Sequence, residues 1–403
     1  MHSHTTNNNT YSYPRADSHT RHTYEVSDIF NDYSEEYLNH HKVTPYQRKV
    51  INAIRRCRSA ALGYHKLTCD ICGYEQIEYN SCRNRHCPKC QGRNRLKWVA
   101  SRLRELLPFP YFHPVFTVPH LLNMLALYNK RIIYDLLFQA SSYTLKIFAA
   151  DPKYLGGLPG FIGILHTWGQ NLCYHIHIHY IMAGAGLKPD GSGWVRLPYR
   201  DKFLFPVKAM SKVMRQKFTE LLLKAYHNHL LVFDGKIADL SDESKFRQFV
   251  HKLAWENWVV YVKKPYAGPE VVLKYLGRYI NRVAIANSRI IDIHDGTVRF
   301  KYKIYRDHTV TPATMTLSAT EFINRFLLHV LSSGFKKIRY YGFLSNSMRR
   351  KCLGLIQEYS SQLKDNLTDI VATVKSWIYH CPCCNVGELH YSGYTWMPIF
   401  EPS

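Results

Sequence analysis

Residues 172–182 read LCYHIHIHYIM. In a strand, successive side chains point to opposite faces, so Cys173, His175, His177 and His179 share one face while Tyr174, Ile176, Ile178, Tyr180 and Met182 share the other. Same-face neighbours stand roughly 7 Å apart, a gap one metal ion can span, whereas His175 and His179 are about 13 Å apart at Cα. Two ligands from this strand are therefore comfortable and three are strained. A divalent ion held by two histidines and one further ligand keeps positions open, where it can polarise a phosphate and neutralise developing charge. Histidines that merely decorate a half-exposed sheet explain a lone residue better than three in strict alternation.

A second group with chemical capacity is Lys274-Tyr275-Leu276-Gly277-Arg278-Tyr279-Ile280-Asn281-Arg282. On a helix, i,i+4 spacing stacks Tyr275 and Tyr279 one turn apart on one face, while Lys274, Arg278 and Arg282 form a basic stripe beside them. That stripe suits a phosphate backbone. Among 30 tyrosines such a pair usually means core packing. A phenol with pKa ~10 also needs a cation or metal nearby before it acts as a nucleophile, and the histidine strand supplies a candidate.

Cysteine spacing carries the third signal. Cys69-x-x-Cys72 and Cys87-x-x-Cys90, fourteen residues apart, predict one tetrahedral zinc site. Cys57, His65, Cys82 and His86 are the ligands available for a second. Such closed sites are structural, and the interleaved Arg83, Arg85, Arg93, Arg95 and Lys97 suggest a unit that grips DNA. Near the other end, His380 to Cys384 supplies half a zinc site, with His390 or Cys352 as completing ligands.

Several elements must position these groups. Thr44-Pro45-Tyr46-Gln47 combines an N-cap, proline at N1 and Gln at N3, predicting a helix to about Cys57. Strands are expected at Tyr111–Val118, 172–182 and Val259–Val262, and helices over Leu121–Phe148, over most of Val207–Trp258 and from Pro269 to about Arg282. The GGLPG stretch at 156–160 reads as a loop. His294-Asp295-Gly296-Thr297 joins a hairpin whose second strand aligns Arg299, Lys301 and Lys303 on one face, and Ser318 to Glu321 is a capping box. Strands and helices without regular alternation predict an α+β fold.

The 403 residues exceed what one core usually fills and predict more than one domain. With 53 Lys and Arg against 30 Asp and Glu, the net charge is +23, which selects polyanions such as DNA as partners. No apolar run of ~18 residues argues for a membrane span. Eleven cysteines interleaved with histidines favour metal ligation in a reducing, cytoplasmic setting over a disulfide framework. Residues 1–25 are polar and aperiodic and are expected to form a disordered tail.

Taken together, the motifs resemble the rolling-circle insertion-sequence transposases of the IS91 group, HUH enzymes of the two-tyrosine type. The likeness is carried by Cys57–Cys90, YFHPVFTVPHLLN, LHTWGQNLCYHIHIHYIMAGAGL, WVVYVKKPYAGPEVVLKYLGRYINRVAIANSRI and FINRFLLHVLSSGFKKIRYYGFL, in that order. It implies a zinc-binding domain over 26–100, an antiparallel-sheet nuclease over 101–310 and a mixed, mainly helical region over 311–403. It further implies Mg²⁺ or Mn²⁺ on His177 and His179, and leaves open whether His175 is the third ligand. Tyr275 and Tyr279 match the paired nucleophiles that form 5′-phosphotyrosine on single-stranded or hairpin DNA ends. Ile176 stands where the family commonly has proline, so His175 and His177 remain an alternative pair. A bacterial, nucleoid-associated transposase is the expectation. A relaxase or replication initiator of the same chemistry, or a zinc-containing DNA-binding regulator without catalysis, are the competing readings.

Overall fold

The computed structural model describes residues 23–90, 107, 109–198, 204–266, 283–306, 309–360 and 380–395. The expected Thr44 cap opens the second helix: the Thr44 hydroxyl accepts from the Gln47 amide at 3.2 Å and the Gln47 side chain accepts from the Thr44 amide at 2.9 Å. That helix, α2 (Pro45–Arg56), buries Val50, Ile51 and Ile54 together with Val26, Ile29 and Phe30 of α1 (Val26–His40). The chain then makes the hairpin β1 (Tyr64–Cys69) and β2 (Glu75–Tyr79).

Next come β3 (Tyr111–Thr117), α3 (Asn123–Tyr128), α4 (Lys130–Ala150), β4 (Leu158–Trp168), β5 (Tyr174–Leu187) and β6 (Trp194–Arg196). Helices α5 (Val207–His227) and α6 (Glu243–Trp255) precede β7 (Val259–Tyr266). Strands β8 (Ile290–His294), β9 (Thr297–Arg306) and β10 (Thr309–Ser318) form a three-stranded sheet with β9 at its centre. After it stand α7 (Ala319–Leu328), β11 (Ile338–Gly342), α8 (Asn346–Ser360) and β12 (Leu389–Thr395). Every strand pairing among the described residues is antiparallel, and the fold is α+β.

The central sheet runs β11-β4-β5-β3-β7, with β6 on the far end of β5. Its one face, which includes Tyr174, Ile176, Ile178, Tyr180 and Met182, is buried under α4, α5 and α6 in the largest core. The reverse face has two parts. Ile181, Ala183, Ala185 and Leu187 are covered by Phe343, Leu344 and the α8 residues Cys352 and Ile356, and the histidines occupy the remainder.

Strand β4 begins inside the expected loop, at Leu158, and continues to Trp168 through residues for which no element was expected. Its apolar residues lie on both faces, which hides the period-two pattern, and its glycines read as turns. Gly163 has a different cause: a Cβ there would meet the Tyr180 ring at 2.5 Å, so the ring needs a glycine opposite it. At the two ends of the chain, α7 packs on α1 and β12 adds to β1, giving the sheet order β12-β1-β2. Among the described residues no helix is long and apolar enough to cross a membrane.

Candidate functional site

The strand period carries His177 and His179 to the face away from the main core, and register brings a third imidazole to them. His166 of β4 pairs directly with His177, while Ile164 lies opposite His179. The metal-binding nitrogens available on His166, His177 and His179 lie within 4.8 Å of one another. His166 stacks on Trp168, with ring centroids 4.6 Å apart.

The outer nitrogens are held by neighbours. The His177 Nδ1–H donates to the His175 carbonyl at 2.9 Å, which leaves Nε2 with its lone pair. His179 Nδ1 lies 2.8 Å from His113 Nε2. If the Nδ1–H donates there, His179 likewise presents Nε2 inward. His113 is 1% exposed, and burial, with Lys263 and His177 nearby, pushes its pKa down to about 3, so it is neutral at physiological pH and able to accept through Nε2. Lys263 pairs with His113 across β3 and β7, adding a cation to this face. Three imidazoles from two strands could hold an ion, and among the described residues no fourth ligand joins them, an arrangement able to polarise a phosphate.

The imidazole that groups with His177 and His179 is that of His166, whereas the His175 ring reaches, of that group, His177 alone, at 5.0 Å between centroids. One strand period beyond His177, the His175 ring faces His120 at 5.3 Å and lies outside the group, which is the strain expected for three ligands from one strand. His166 was missed because its strand was missed. The weak clue was the shared face of Ile162, Ile164, His166 and Trp168.

The cysteines assemble differently from the expected set. Cys87 and Cys90 join Cys57 and Cys82, and Cys69 and Cys72 join Cys381 and Cys384. The first cluster sits where α2 ends, within the core shared by α1, α2, α7 and β9. Its sulfurs are 3.5 Å apart for Cys57 and Cys90 and 3.6 Å for Cys82 and Cys90. Hydrogen bonds from the thiols of Cys57, Cys82 and Cys87 hold the Cys90 sulfur far below the usual thiol range. These separations approach the edge of about 3.8 Å that a tetrahedron with Zn–S near 2.3 Å requires. The two Cys-x-x-Cys pairs belong to separate clusters because β1 and β2 carry the first pair away from the end of α2.

None of the histidines proposed for the zinc sites, His65, His86, His380 and His390, joins a cluster. His65 is engaged with Asn80 and Glu78, each at 3.1 Å. His86 is half-buried, and desolvation, with Arg85 and Lys337 close by, lowers its pKa to about 3. Cys352 lies in the core beneath α8, and His390 is 3.4 Å from Asp70. Tyr275, Tyr279, Lys274, Arg278 and Arg282 lie outside the described residues, as do Arg93, Arg95 and Lys97.

Comparison with known proteins agrees with this geometry. Residues 29–118 match the family described as a transposase zinc-binding domain, and residues 160–352 match that of a putative transposase. The putative transposase y4qJ of Sinorhizobium fredii (strain NBRC 101917 / NGR234) is 44% identical over 379 residues, covering 91% of this chain and 94% of that protein. The transposase for insertion sequence element IS801 of Pseudomonas savastanoi pv. phaseolicola is 28% identical over 318 residues, covering 77% and 73%. No solved structure matches. With cysteine clusters in the zinc-binding part and relatives of this kind along nearly its whole length, the chain belongs to the IS91-type transposase family, with an N-terminal zinc-binding domain.

Proposed function

We propose that the chain is a metal-dependent transposase that cuts and rejoins single-stranded or hairpin DNA ends by rolling-circle chemistry through Tyr275 and Tyr279. The observation that carries this reading is the group of His166, His177 and His179 on one sheet face, with no fourth ligand among the described residues. Mg²⁺ or Mn²⁺ held there would polarise the scissile phosphate and offset the charge that develops on it.

The tyrosine assignment rests on the sequence: Tyr275 and Tyr279 match the family's paired nucleophiles, and Lys274, Arg278 and Arg282 beside them in the sequence would hold the DNA backbone.

In the reaction, the phenol oxygen of one tyrosine bonds to phosphorus. The P–O3′ bond breaks, the phenol proton passes to the leaving oxygen, and the products are 5′-phosphotyrosine and a 3′-hydroxyl. The second tyrosine serves strand transfer by the same exchange. One phosphodiester replaces another, so no nucleotide hydrolysis is needed. Arg299, Lys301 and Lys303, exposed on β9, extend the cationic surface toward DNA.

The test uses labelled single-stranded element ends with Mn²⁺. A protein–DNA adduct that survives denaturation is expected, and it should vanish in the Tyr275→Phe, Tyr279→Phe double variant. An adduct that persists in that variant would defeat the tyrosine mechanism.

A further inference from the structure

Neither matched span, 29–118 or 160–352, reaches the cysteines near the chain's C-terminal end. Cys381 and Cys384 nevertheless complete a group with Cys69 and Cys72, across sequence separations of 309 and 315 residues. We propose that these four cysteines hold a second structural zinc ion, which clasps residues 380–395 onto the N-terminal zinc-binding module.

The geometry supports this in three ways. The Sγ atoms of Cys72 and Cys381 are 3.7 Å apart and those of Cys69 and Cys384 are 3.8 Å apart. A ZnS₄ tetrahedron has an edge of about 3.8 Å, whereas a disulfide needs about 2.05 Å.

The two pairs are also built alike. Each is a Cys-x-x-Cys turn closed by a backbone hydrogen bond, from the Gly73 amide to the Cys69 carbonyl at 3.2 Å and from the Asn385 amide to the Cys381 carbonyl at 3.1 Å. Each is followed by a residue in the left-handed region, Gly73 at φ +68° and Asn385 at φ +55°. Amides also point at sulfur: Ile71 donates to Cys69 at 3.4 Å, Cys383 to Cys381 at 3.4 Å and Gly387 to Cys384 at 3.2 Å. Such donors stabilise thiolate ligands and aim them.

Finally, the surroundings fit the clasp. A Cβ on Gly387 would come within 2.5 Å of Cys69 Sγ, so glycine permits the two turns to meet. Beyond the turns, β12 pairs with β1 from Cys69 to Tyr64. Two of the four ligands and one of the three strands thus come from residues 380–395, so the module is complete only once that segment is in place.

The test compares cysteines of equal exposure in the full, reduced, zinc-loaded chain. Cys72, Cys173 and Cys383 are all exposed. Brief alkylation read by mass spectrometry should modify Cys173 and Cys383 and spare Cys72 together with Cys69, Cys381 and Cys384. A chelator should then bring Cys72 to the rate of Cys383. Metal analysis should give two zinc ions per chain, falling to one in the Cys381→Ser, Cys384→Ser double variant. Labelling of Cys72 as fast as Cys383 before chelation would overturn the clasp, and so would a zinc content that the double variant leaves unchanged. If that variant does not fold, the labelling of the unaltered chain decides.

Discussion

In the cysteine clusters four thiols face one another at 3.5–3.8 Å, and a metal among them has no position left for another group. In the histidine cluster three rings converge from two adjacent strands, and among the described residues no fourth ligand joins them. The cysteines are aimed by turns and backbone amides, so each site is a piece of architecture joining distant parts of the chain. The histidines are aimed by a carbonyl and by a second imidazole, which set the ring orientations. On the proposed function, the closed sulfur sites would build the molecule and the nitrogen site would act on a phosphate.

This contrast is broken most severely by removing a histidine ligand. His177→Ala or His179→Ala should reduce adduct formation by at least about 100-fold, more than the ten- to hundred-fold typical of an outer partner, while the zinc content measured by metal analysis stays at its wild-type value. Loss of zinc in these variants would mean that the two regions are not independent.

Cys57→Ser should do the reverse and act on the fold. Zinc binding in closed sites contributes about 10–16 kcal/mol in small domains, and Cys57 is buried in the core shared by α1, α2 and α7. Chemical denaturation should show a large fall in the unfolding midpoint together with loss of one zinc. An unchanged midpoint would remove the first cluster from the account.

His113→Ala tests the outer partner. Mn²⁺ affinity, measured by calorimetry without DNA, should fall by about 10–100-fold. His113→Gln should recover part of it, because its carbonyl can accept from His179 Nδ1. Equal losses in both variants would point to packing instead.

The smallest effect is on pH dependence. His329 is fully buried between Thr167 and the Leu172 carbonyl, and desolvation lowers its pKa to about 4. A folded-state pKa below the unfolded value of about 6.5 makes its contribution complete above pH ~6.5 and lost as pH falls toward 4. The urea midpoint should therefore drop across that window, and more gently in His329→Gln.

Much of this was legible because it is local. The Thr44 cap, the two faces of β5 and the hairpin at Asp295-Gly296 depend on residues within a few positions of each other. The α+β class followed from the same local signals. What stayed hidden depends on register and long-range closure. His166 becomes a ligand only because β4 pairs with β5 at His177, and Cys69 finds Cys384 only through β12 pairing with β1. Two Cys-x-x-Cys motifs close together in sequence suggested one site, yet each finds its partners across a strand or across most of the chain. His113 lay in a strand that was anticipated, but nothing in its neighbours signalled the contact with His179.

The most direct test compares His166→Ala with His175→Ala for Mn²⁺ affinity and for Mn²⁺-dependent adduct formation on the same DNA ends. With His166 as the third ligand, His166→Ala should lose both, and His175→Ala should keep affinity within a few-fold of the unaltered protein, since only its backbone carbonyl holds His177. The opposite ranking, with His175→Ala the more damaging change, would contradict the metal centre described here.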